Sequence, residues 1–152
     1  MASKAPHSDH LNWSGTANMA MQTMQQMDDR IHSISVPSTV FVIEDNVELR
    51  RLIREKFELV GFQAYEAKNG VDGLKSAACH SPALITLDVD LPDMSGVQVL
   101  DRLRSSSKVP VIILSGRSNV ADKVYVLGRG ADNYLVKPFE LNDLLMRSRC
   151  AI

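Results

Sequence analysis

The stretch Thr39-Val-Phe-Val-Ile-Glu-Asp-Asn46 decides the fold of this chain. Its first five residues form an apolar, β-branched run of strand length, which polar residues end. Apolar residues then recur at spacings of three and four, which predicts a helix containing Leu49, Leu52, Ile53, Phe57 and Val60. Gly61 fits the end of that helix. A buried strand followed by an amphipathic helix is the repeating unit of α/β proteins.

The same alternation continues to the end of the chain. We predict further strands over 62–66, 83–87, 109–114 and 133–136. We predict further helices over 70–79, 97–103, 119–127 and 141–149, with inward faces that include Val71, Leu74 and Ala78 in the first and Leu141, Leu144 and Leu145 in the last. Strands that are apolar on both faces and alternate with helices indicate a parallel sheet covered on both sides. Right-handed crossovers then predict a doubly wound (βα)5 sandwich.

The leading segment differs in composition from the rest, and we place the boundary between an extension, residues 1–37, and a domain, residues 38–152. Five of the seven methionines lie in the extension. Spacings of four and three predict a helix or two-stranded coil over 17–34, with Thr16 as the candidate N-cap and a seam of Ala20, Met24, Met27, Ile31 and Ile34. A mobile tail is the alternative.

Charge and composition exclude several classes of protein. The 17 basic and 18 acidic residues give a net charge of −1, so we expect no nucleic acid to bind this chain. No run approaches the roughly 18 apolar residues of a membrane span, and no signal peptide begins the chain. Two cysteines, Cys79 and Cys150, give neither a disulfide framework nor metal-ligand spacing. We therefore expect a cytoplasmic protein without membrane contact.

Polar residues follow four of the five predicted strands. They are Glu44 and Asp45 after the first, Asp88 after the third, Ser115 after the fourth and Lys137 after the fifth. Because ligands bind at the carboxyl ends of parallel strands, we expect these side chains to meet there. Clustered carboxylates need a cation, and oxygen ligands favour Mg²⁺.

The same residues suit phosphoryl transfer. Asp88 is central and is the candidate nucleophile that forms an acyl phosphate. Glu44 and Asp45 would hold the metal, directly or through water. Lys137 would place a positive charge on the phosphoryl oxygens, and Ser115 would donate a hydrogen bond to one of them.

Four motifs, in order and correctly spaced over about residues 38–150, carry a resemblance to a known family. They are Val42-Ile-Glu-Asp-Asn46, Ile85-Thr-Leu-Asp-Val-Asp-Leu-Pro-Asp-Met-Ser-Gly96, Val109-Pro-Val-Ile-Ile-Leu-Ser-Gly116 and Gly130-Ala-Asp-Asn-Tyr-Leu-Val-Lys-Pro-Phe139. Together they resemble the CheY-like receiver domain of bacterial two-component response regulators. The resemblance implies a flavodoxin-like sheet of strand order 2-1-3-4-5.

The resemblance also implies a function and a set of site residues. Asp88 would be phosphorylated by a phosphohistidine on a sensor histidine kinase or a phosphotransfer protein. Mg²⁺ would be held by Glu44, Asp45, Asp88 and the carbonyl of Asp90. Lys137 would precede a cis peptide bond to Pro138.

A switch is part of the same implication. Ser115 would move toward the phosphoryl group while Tyr134 rotates inward. The face made by the fourth receiver helix, the fifth strand and the last helix would change with them and control output or association. For Tyr134, plain packing is the alternative.

Asp90 and Arg117 occupy positions that flank the path of the hydrolytic water in this family. We hypothesise that they pair and slow self-dephosphorylation. Two independent solvated charges are the alternative. Glu44 and Asp45 could also simply cap the first helix, and Gly96 and Gly130 are interpreted as turn positions with unusual dihedrals.

Homodimerisation is expected through the switch face or the leading helix. Receivers with winged-helix output, the OmpR-like branch, form salt bridges across that face, and Lys123 with Asp143 could be such a pair. Four other residues do not suit this pattern: Arg129, Arg147, Asn133 and Cys150. OmpR-type dimerisation is therefore in doubt.

Two other functions compete with the signalling switch. Asp88-Val-Asp90 resembles the Asp-x-Asp of haloacid-dehalogenase-type phosphohydrolases, but Leu91-Pro92 and the lack of a cap and a later acidic pair argue against an enzyme. A receiver-like binding module that takes no phosphate is argued against by the complete acidic site. The last helix stops about a turn short of typical, so we expect either a fragment of a longer regulator or a stand-alone receiver.

Overall fold

Five parallel strands form one sheet in the order β2-β1-β3-β4-β5. The strands are β1 (Thr39–Ile43), β2 (Gln63–Ala67), β3 (Leu84–Asp88), β4 (Val111–Ser115) and β5 (Asn133–Val136). The helices are α1 (Trp13–His32), α2 (Val47–Leu59), α3 (Gly70–His80), α4 (Gly96–Arg104), α5 (Val120–Gly128) and α6 (Leu141–Ala151). The predicted flavodoxin-like α/β fold is confirmed.

The computed structural model describes residues 13–32 and 37–152, with side chains from residues 15–28 and 37–152. The chain divides into two units, Met1–Val36 and Pro37–Ile152. Within the described residues, no helix combines the length and the apolar character that a bilayer span needs.

Successive side chains of a strand point to opposite faces of the sheet, and two hydrophobic cores form, one on each side. Val40 and Val42 pack with Ile53 and Phe57 of α2 and with Leu144 of α6. On the opposite side, the core contains Phe41 and Ile43 from β1 together with Val99 and Leu100 from α4 and Val126 from α5. Because the sheet is covered on both sides, β1, β3 and β4 are buried on both faces, as the sequence predicted, whereas the edge strand β2 is partly exposed.

The strand register brings the carboxyl ends of the strands to one edge. Ile43 pairs with Ala67 and Leu87, Asp88 with Leu114, and Ser115 with Val136. Residues that end or follow these strands therefore share that edge of the sheet.

The inward face of α3 differs from the prediction. Val71 and Ala78 are exposed, whereas Gly70 and Gly73 are buried. A Cβ on Gly73 would lie 2.5 Å from Cδ1 of Ile43, so the helix packs through its glycines at close approach. Hydrophobic periodicity missed this face because glycine carries no apolar signal. Leu52 of α2, predicted on the apolar stripe, is also exposed.

The leading helix forms, with bounds that differ from the prediction. It begins at Trp13, so Thr16 lies inside the helix and is not its N-cap. Three of its seam side chains, Ala20, Met24 and Met27, are exposed. Ile31 belongs to the helix, and Ile34 lies outside the described residues.

The two glycines interpreted as turn positions have different roles. Gly130 has a φ of +106°, in the region that favours glycine, and this interpretation is confirmed. Gly96 does not have a positive φ. Instead, a Cβ there would collide with the backbone carbonyl of Asp88, so close approach requires the glycine.

Candidate functional site

Lys137 joins two buried carboxylates at the carboxyl edge of the sheet. Its Nζ lies 2.9 and 3.1 Å from the two carboxylate oxygens of Glu44 and 3.4 Å from Oδ1 of Asp88. Glu44 and Asp88 are buried, and Lys137 is partly exposed. Three of the predicted site residues thus meet as one charged cluster.

The pKa of Glu44 is strongly raised in this cluster. Burial raises its pKa to about 7, against the hydrogen bond from Lys137, which lowers it, and the negative charge of Asp88 raises it further. One ammonium group therefore faces two carboxyl groups, and the cluster carries an excess negative charge only while Glu44 is ionised.

Glu44 and Asp45 form an acidic pair whose main chain is fixed by contacts that the sequence did not suggest. Glu44 donates its backbone N–H to the carbonyl of Ala67 at 3.1 Å. Arg50 of α2 donates from Nη1 to the carbonyls of Glu44 and Asp45, at 2.9 and 3.3 Å. Arg50 is thus a positioning residue, and no motif pointed to it because a side-chain bond to a carbonyl five or six residues earlier has no sequence signature.

The capping interpretation of the acidic pair is wrong. The N-cap of α2 is Asn46, whose side chain accepts a hydrogen bond from the N–H of Leu49 at 2.9 Å. An asparagine just before an apolar periodic run is a recognised start signal, so this cap was available from sequence. Glu44 is consequently free of a capping role, and Asp45 is exposed at the edge of the site.

The loop that follows Asp88 is held by several hydrogen bonds. Asp90 donates its N–H to Oδ1 of Asp88 at 3.1 Å, and Gly96 donates its N–H to the carbonyl of Val89 at 2.7 Å. Ser95 caps α4 in a capping box with Gln98. These bonds fix the phosphoacceptor candidate at the end of its strand.

Asp93 anchors the same loop to α3. Its carboxylate accepts hydrogen bonds from the N–H groups of Gly70 and Val71, at 2.8 and 2.9 Å. These bonds lower the pKa of Asp93. Sequence reasoning missed this residue because it caps a helix that starts 23 positions earlier.

Ser115 and Tyr134 are linked through Arg117. Ser115 is fully buried, and its Oγ accepts from the N–H of Arg117 at 3.1 Å. The Tyr134 hydroxyl donates to the carbonyl of Arg117 at 2.8 Å, and the Tyr134 side chain is buried. Both residues line a cavity of about 110 Å³ that also borders Val97 and Tyr125. The ring of Tyr134 is therefore in the inward position.

Lys137 is tied to the same strands. Its N–H donates to the carbonyl of Ser115 at 2.7 Å, and its peptide bond to Pro138 is cis, as predicted.

Arg117 and Asp90 approach each other across the outside of the site, with Nη2 of Arg117 at 3.6 Å from Oδ1 of Asp90 and both side chains more than half exposed. The predicted pair therefore makes contact.

The donor set suits a hard cation. Glu44, Asp45, Asp88 and Asp90 offer the carboxylate and carbonyl oxygens that Mg²⁺ prefers. Across the described residues, no group of three or more Asp, Glu, His or Cys side chains is placed so that it could hold a metal ion. Mg²⁺ is usually bound through one or two carboxylates and keeps several waters.

The face formed by α5, β5 and α6 carries its own polar network. Arg147 donates to Asp143 at 2.9 Å and to Asn133 at 2.6 Å within the same chain. Arg129 lies 3.5 Å from Asp101 and stacks over Tyr125. Because Arg129 and Arg147 contact residues of their own chain, they do not strengthen the case for an OmpR-type salt-bridged dimer.

Fold and site together define a doubly wound, flavodoxin-like α/β protein with an acidic, lysine-bridged edge. A profile of the response regulator receiver domain matches residues 40–149. The chain therefore belongs to the response regulator receiver domain family.

Curated relatives agree with this membership. The chain is 42% identical over 113 residues to transcriptional regulatory protein KdpE of Mycobacterium tuberculosis, covering 74% of this chain and 50% of the relative. It is 43% identical over 115 residues to the KDP operon transcriptional regulatory protein KdpE of Escherichia coli, covering 76% and 51%. The chain thus spans about half the length of these relatives.

Solved structures agree with the fold. The receiver domain of the Francisella response regulator 1452 superimposes with a TM-score of 0.73 at 30% identity, covering 75% of this chain and 95% of that one. The BeF3-activated receiver domain of Klebsiella pneumoniae RstA gives a TM-score of 0.72 at 24% identity, covering 75% and 97%. At 24% identity, the similarity to the Klebsiella pneumoniae structure supports the fold alone.

Proposed function

We propose that this chain is a phosphoacceptor domain in which Asp88 takes a phosphoryl group from a histidine kinase or a phosphotransfer protein in a Mg²⁺-dependent reaction. One observation carries the proposal. Asp88 is 4% exposed, yet its carboxylate lies at the open edge of the sheet, 3.4 Å from the ammonium group of Lys137. Membership in the receiver family supports the same role.

The transfer itself asks little covalent chemistry of the protein. A carboxylate oxygen of Asp88 bonds to phosphorus while the bond from phosphorus to the donor imidazole nitrogen breaks, and that nitrogen keeps the electron pair. Lys137 and the Ser115 hydroxyl contact the phosphoryl oxygens. Positioning and charge stabilisation then account for most of the rate.

A bound Mg²⁺ would neutralise charge on the phosphoryl oxygens. Asp88, Asp45 and the carbonyl of Asp90 would hold it, with Glu44 contributing directly or through water. Arg50 keeps the main chain of the acidic pair in place for this role, since it binds both carbonyls.

Phosphorylation is proposed to act on the α5–β5–α6 face. Ser115 and Tyr134 are the switch pair, because the Ser115 hydroxyl and the Tyr134 ring line one cavity and both bond to the backbone of Arg117. The Tyr134 ring already lies inward, so a shift of Ser115 toward the phosphoryl group would act through the backbone of Arg117 on the hydrogen bond that holds the ring there. The consequence is a changed face for output or for association of two copies.

The chain is proposed to catalyse no turnover beyond its own phosphorylation and slow dephosphorylation. The ion pair of Arg117 with Asp90 supports a long-lived acyl phosphate, because it lies across the outside of the site where water would approach. Decay of the phosphate then resets the switch.

The test is incubation of the full chain with acetyl phosphate and Mg²⁺, followed by intact mass measurement of the wild type and of Asp88→Asn. We expect one phosphoryl group on the wild type, none on the variant, and none when EDTA replaces Mg²⁺. Release of phosphate without an adduct would point to a phosphohydrolase. Absence of both adduct and release would point to a binding module, and either result would overturn the proposal.

A further inference from the structure

Helix α1 has features that the receiver function does not use. All of its described side chains, from Gly15 to Asp28, are exposed, including those of Met24 and Met27. Helices in proteins owe most of their stability to tertiary packing of an amphipathic face, and the described side chains of α1 have none. Gly15, Asn18 and Thr23 lower its intrinsic propensity further.

Six apolar residues of α1 form one narrow stripe, and Met19 and Met21 lie outside it. Ala17, Ala20, Met24 and Met27 follow spacings of three and four, and Trp13 and Ile31 occupy the next positions of the same repeat. From here on, the seam means these six residues, which add Trp13 and Ala17 to the predicted seam and leave out Ile34, a residue outside the described part of the chain. A strict 3.5-residue repeat is the pattern of a coiled-coil contact and is narrower than the face of a helix packed on a globular core.

We propose that the seam pairs with the seam of a second copy of this chain, as an antiparallel two-stranded coil. The absence of charge along most of the helix supports this pairing. Residues 13–27 carry no charged side chain, so two copies meet along most of the helix without like-charge repulsion. A membrane-surface helix would instead carry Lys or Arg along its polar face.

Charge also bears on the direction of the pairing. The charged residues of α1, Asp28, Asp29 and Arg30, all lie near its carboxyl end with a net charge of −1, and its first turn has no acidic residue. Acidic groups are favourable near a helix N-terminus and unfavourable near its C-terminus. Antiparallel pairing brings the acidic end of each copy to the amino end of the other.

The volumes of the seam side chains also favour antiparallel pairing. In an antiparallel pair centred on the seam, Ala20 faces Met24 of the other copy and Ala17 faces Met27, so each small side chain meets a large one. A parallel pair would instead stack Ala on Ala and Met on Met. Alternation of large and small residues is what fills such an interface evenly.

This pairing does not depend on phosphorylation of Asp88. It is tested on the full chain by light scattering coupled to size exclusion, comparing the wild type with Met24→Glu and Met19→Glu. The two methionines are equally exposed, at 71% and 70%, but Met19 lies off the seam. We expect a dimer for the wild type and for Met19→Glu, and a monomer for Met24→Glu.

Three results would overturn the proposal: a monomeric wild type, equal loss in both variants, or a monomer that binds lipid vesicles through α1. Hydrogen exchange of β1, β3 and β4 that matches the wild type shows that the receiver domain of a variant is folded, whereas α1 itself is expected to lose helicity in Met24→Glu. Asp88→Asn is expected to remain dimeric, so failure of the phosphoacceptor proposal is distinguishable from failure of this one.

Direction is tested by oxidative crosslinking with Cys79→Ser and Cys150→Ser in the background. We expect Ala20→Cys mixed with Met24→Cys to give a mixed disulfide dimer, while each variant alone gives none. Crosslinking of Ala20→Cys to itself would indicate parallel strands and would overturn the antiparallel arrangement.

Discussion

The ammonium group of Lys137 hydrogen-bonds both carboxylate oxygens of Glu44, a residue 93 positions earlier in the chain, at 2.9 and 3.1 Å. The same group lies 3.4 Å from Asp88. The two ends of the domain are therefore joined at the site by one cation shared between two acids.

This sharing predicts a pH dependence of stability in the absence of Mg²⁺. The pKa of Glu44 is raised from 4.5 to about 7, so the folded chain binds a proton that the unfolded chain has released in this interval. The contribution of Glu44 to the free energy of unfolding is therefore fully present below pH 4.5 and is lost as the pH rises to about 7.

Denaturant unfolding in EDTA across this interval measures the effect. We expect the stability of the wild type to fall with rising pH relative to that of Glu44→Gln, which has no proton to lose. Parallel pH profiles for the two proteins would contradict the raised pKa.

Substitution of Gly96 tests the close approach of α4 to the phosphoacceptor strand. In Gly96→Ala the new Cβ meets the backbone of Asp88 and Val89, which cannot move aside as a flexible side chain would. We expect a loss of about 1–3 kcal/mol in the free energy of unfolding, together with weaker phosphorylation. Gly116→Ala is the matched control, because a Cβ there meets nothing within 4 Å.

Asp93 is expected to stabilise the fold by capping α3 from the loop after β3. Its lowered pKa means that its contribution is present above its ordinary value of 3.8 and is lost as the pH falls through the lower folded value. Asp93→Asn should lower the thermal midpoint at neutral pH, and this difference should shrink in acid.

Asp72→Asn provides the comparison, since Asp72 lies in the first turn of the same helix but bonds the side chain of Asn69. An equal loss in both variants would mean that general charge at this helix end, and not the two bonds to Gly70 and Val71, accounts for the effect.

These residues show which features of the fold and of the site can be predicted from the sequence. Strand-ending residues identified the site because parallel strands share an edge, and this rule needs no side-chain geometry. The inward face predicted for α3 was right at Leu74 and wrong at Val71 and Ala78. The buried positions are instead Gly70 and Gly73, which have no side chain to give an apolar signal. Arg50 and Asp93 were missed because their bonds go to backbone groups, which carry no residue-specific signal.

The Arg117–Asp90 pair predicts the lifetime of the phosphorylated state. Exposed ion pairs contribute about 0.2–1 kcal/mol, so Arg117→Ala should speed decay of the acyl phosphate by a factor of about 1.5 to 5. Its bonds to Ser115 and Tyr134 use backbone atoms and survive the substitution. The decay is followed by intact mass after removal of acetyl phosphate.

Asp90→Asn should speed decay by a similar factor, and Arg117→Lys should lie between the wild type and Arg117→Ala. An unchanged rate in Arg117→Ala would show that the two charges act independently of the site.

The most direct test of the central claim is to locate the phosphoryl group. Borohydride reduces an aspartyl phosphate to homoserine and releases phosphate, and peptide mass spectrometry then identifies the residue. We expect homoserine at position 88 after treatment with acetyl phosphate and Mg²⁺. Homoserine at Asp45 or Asp90, with Asp88 intact, would contradict it.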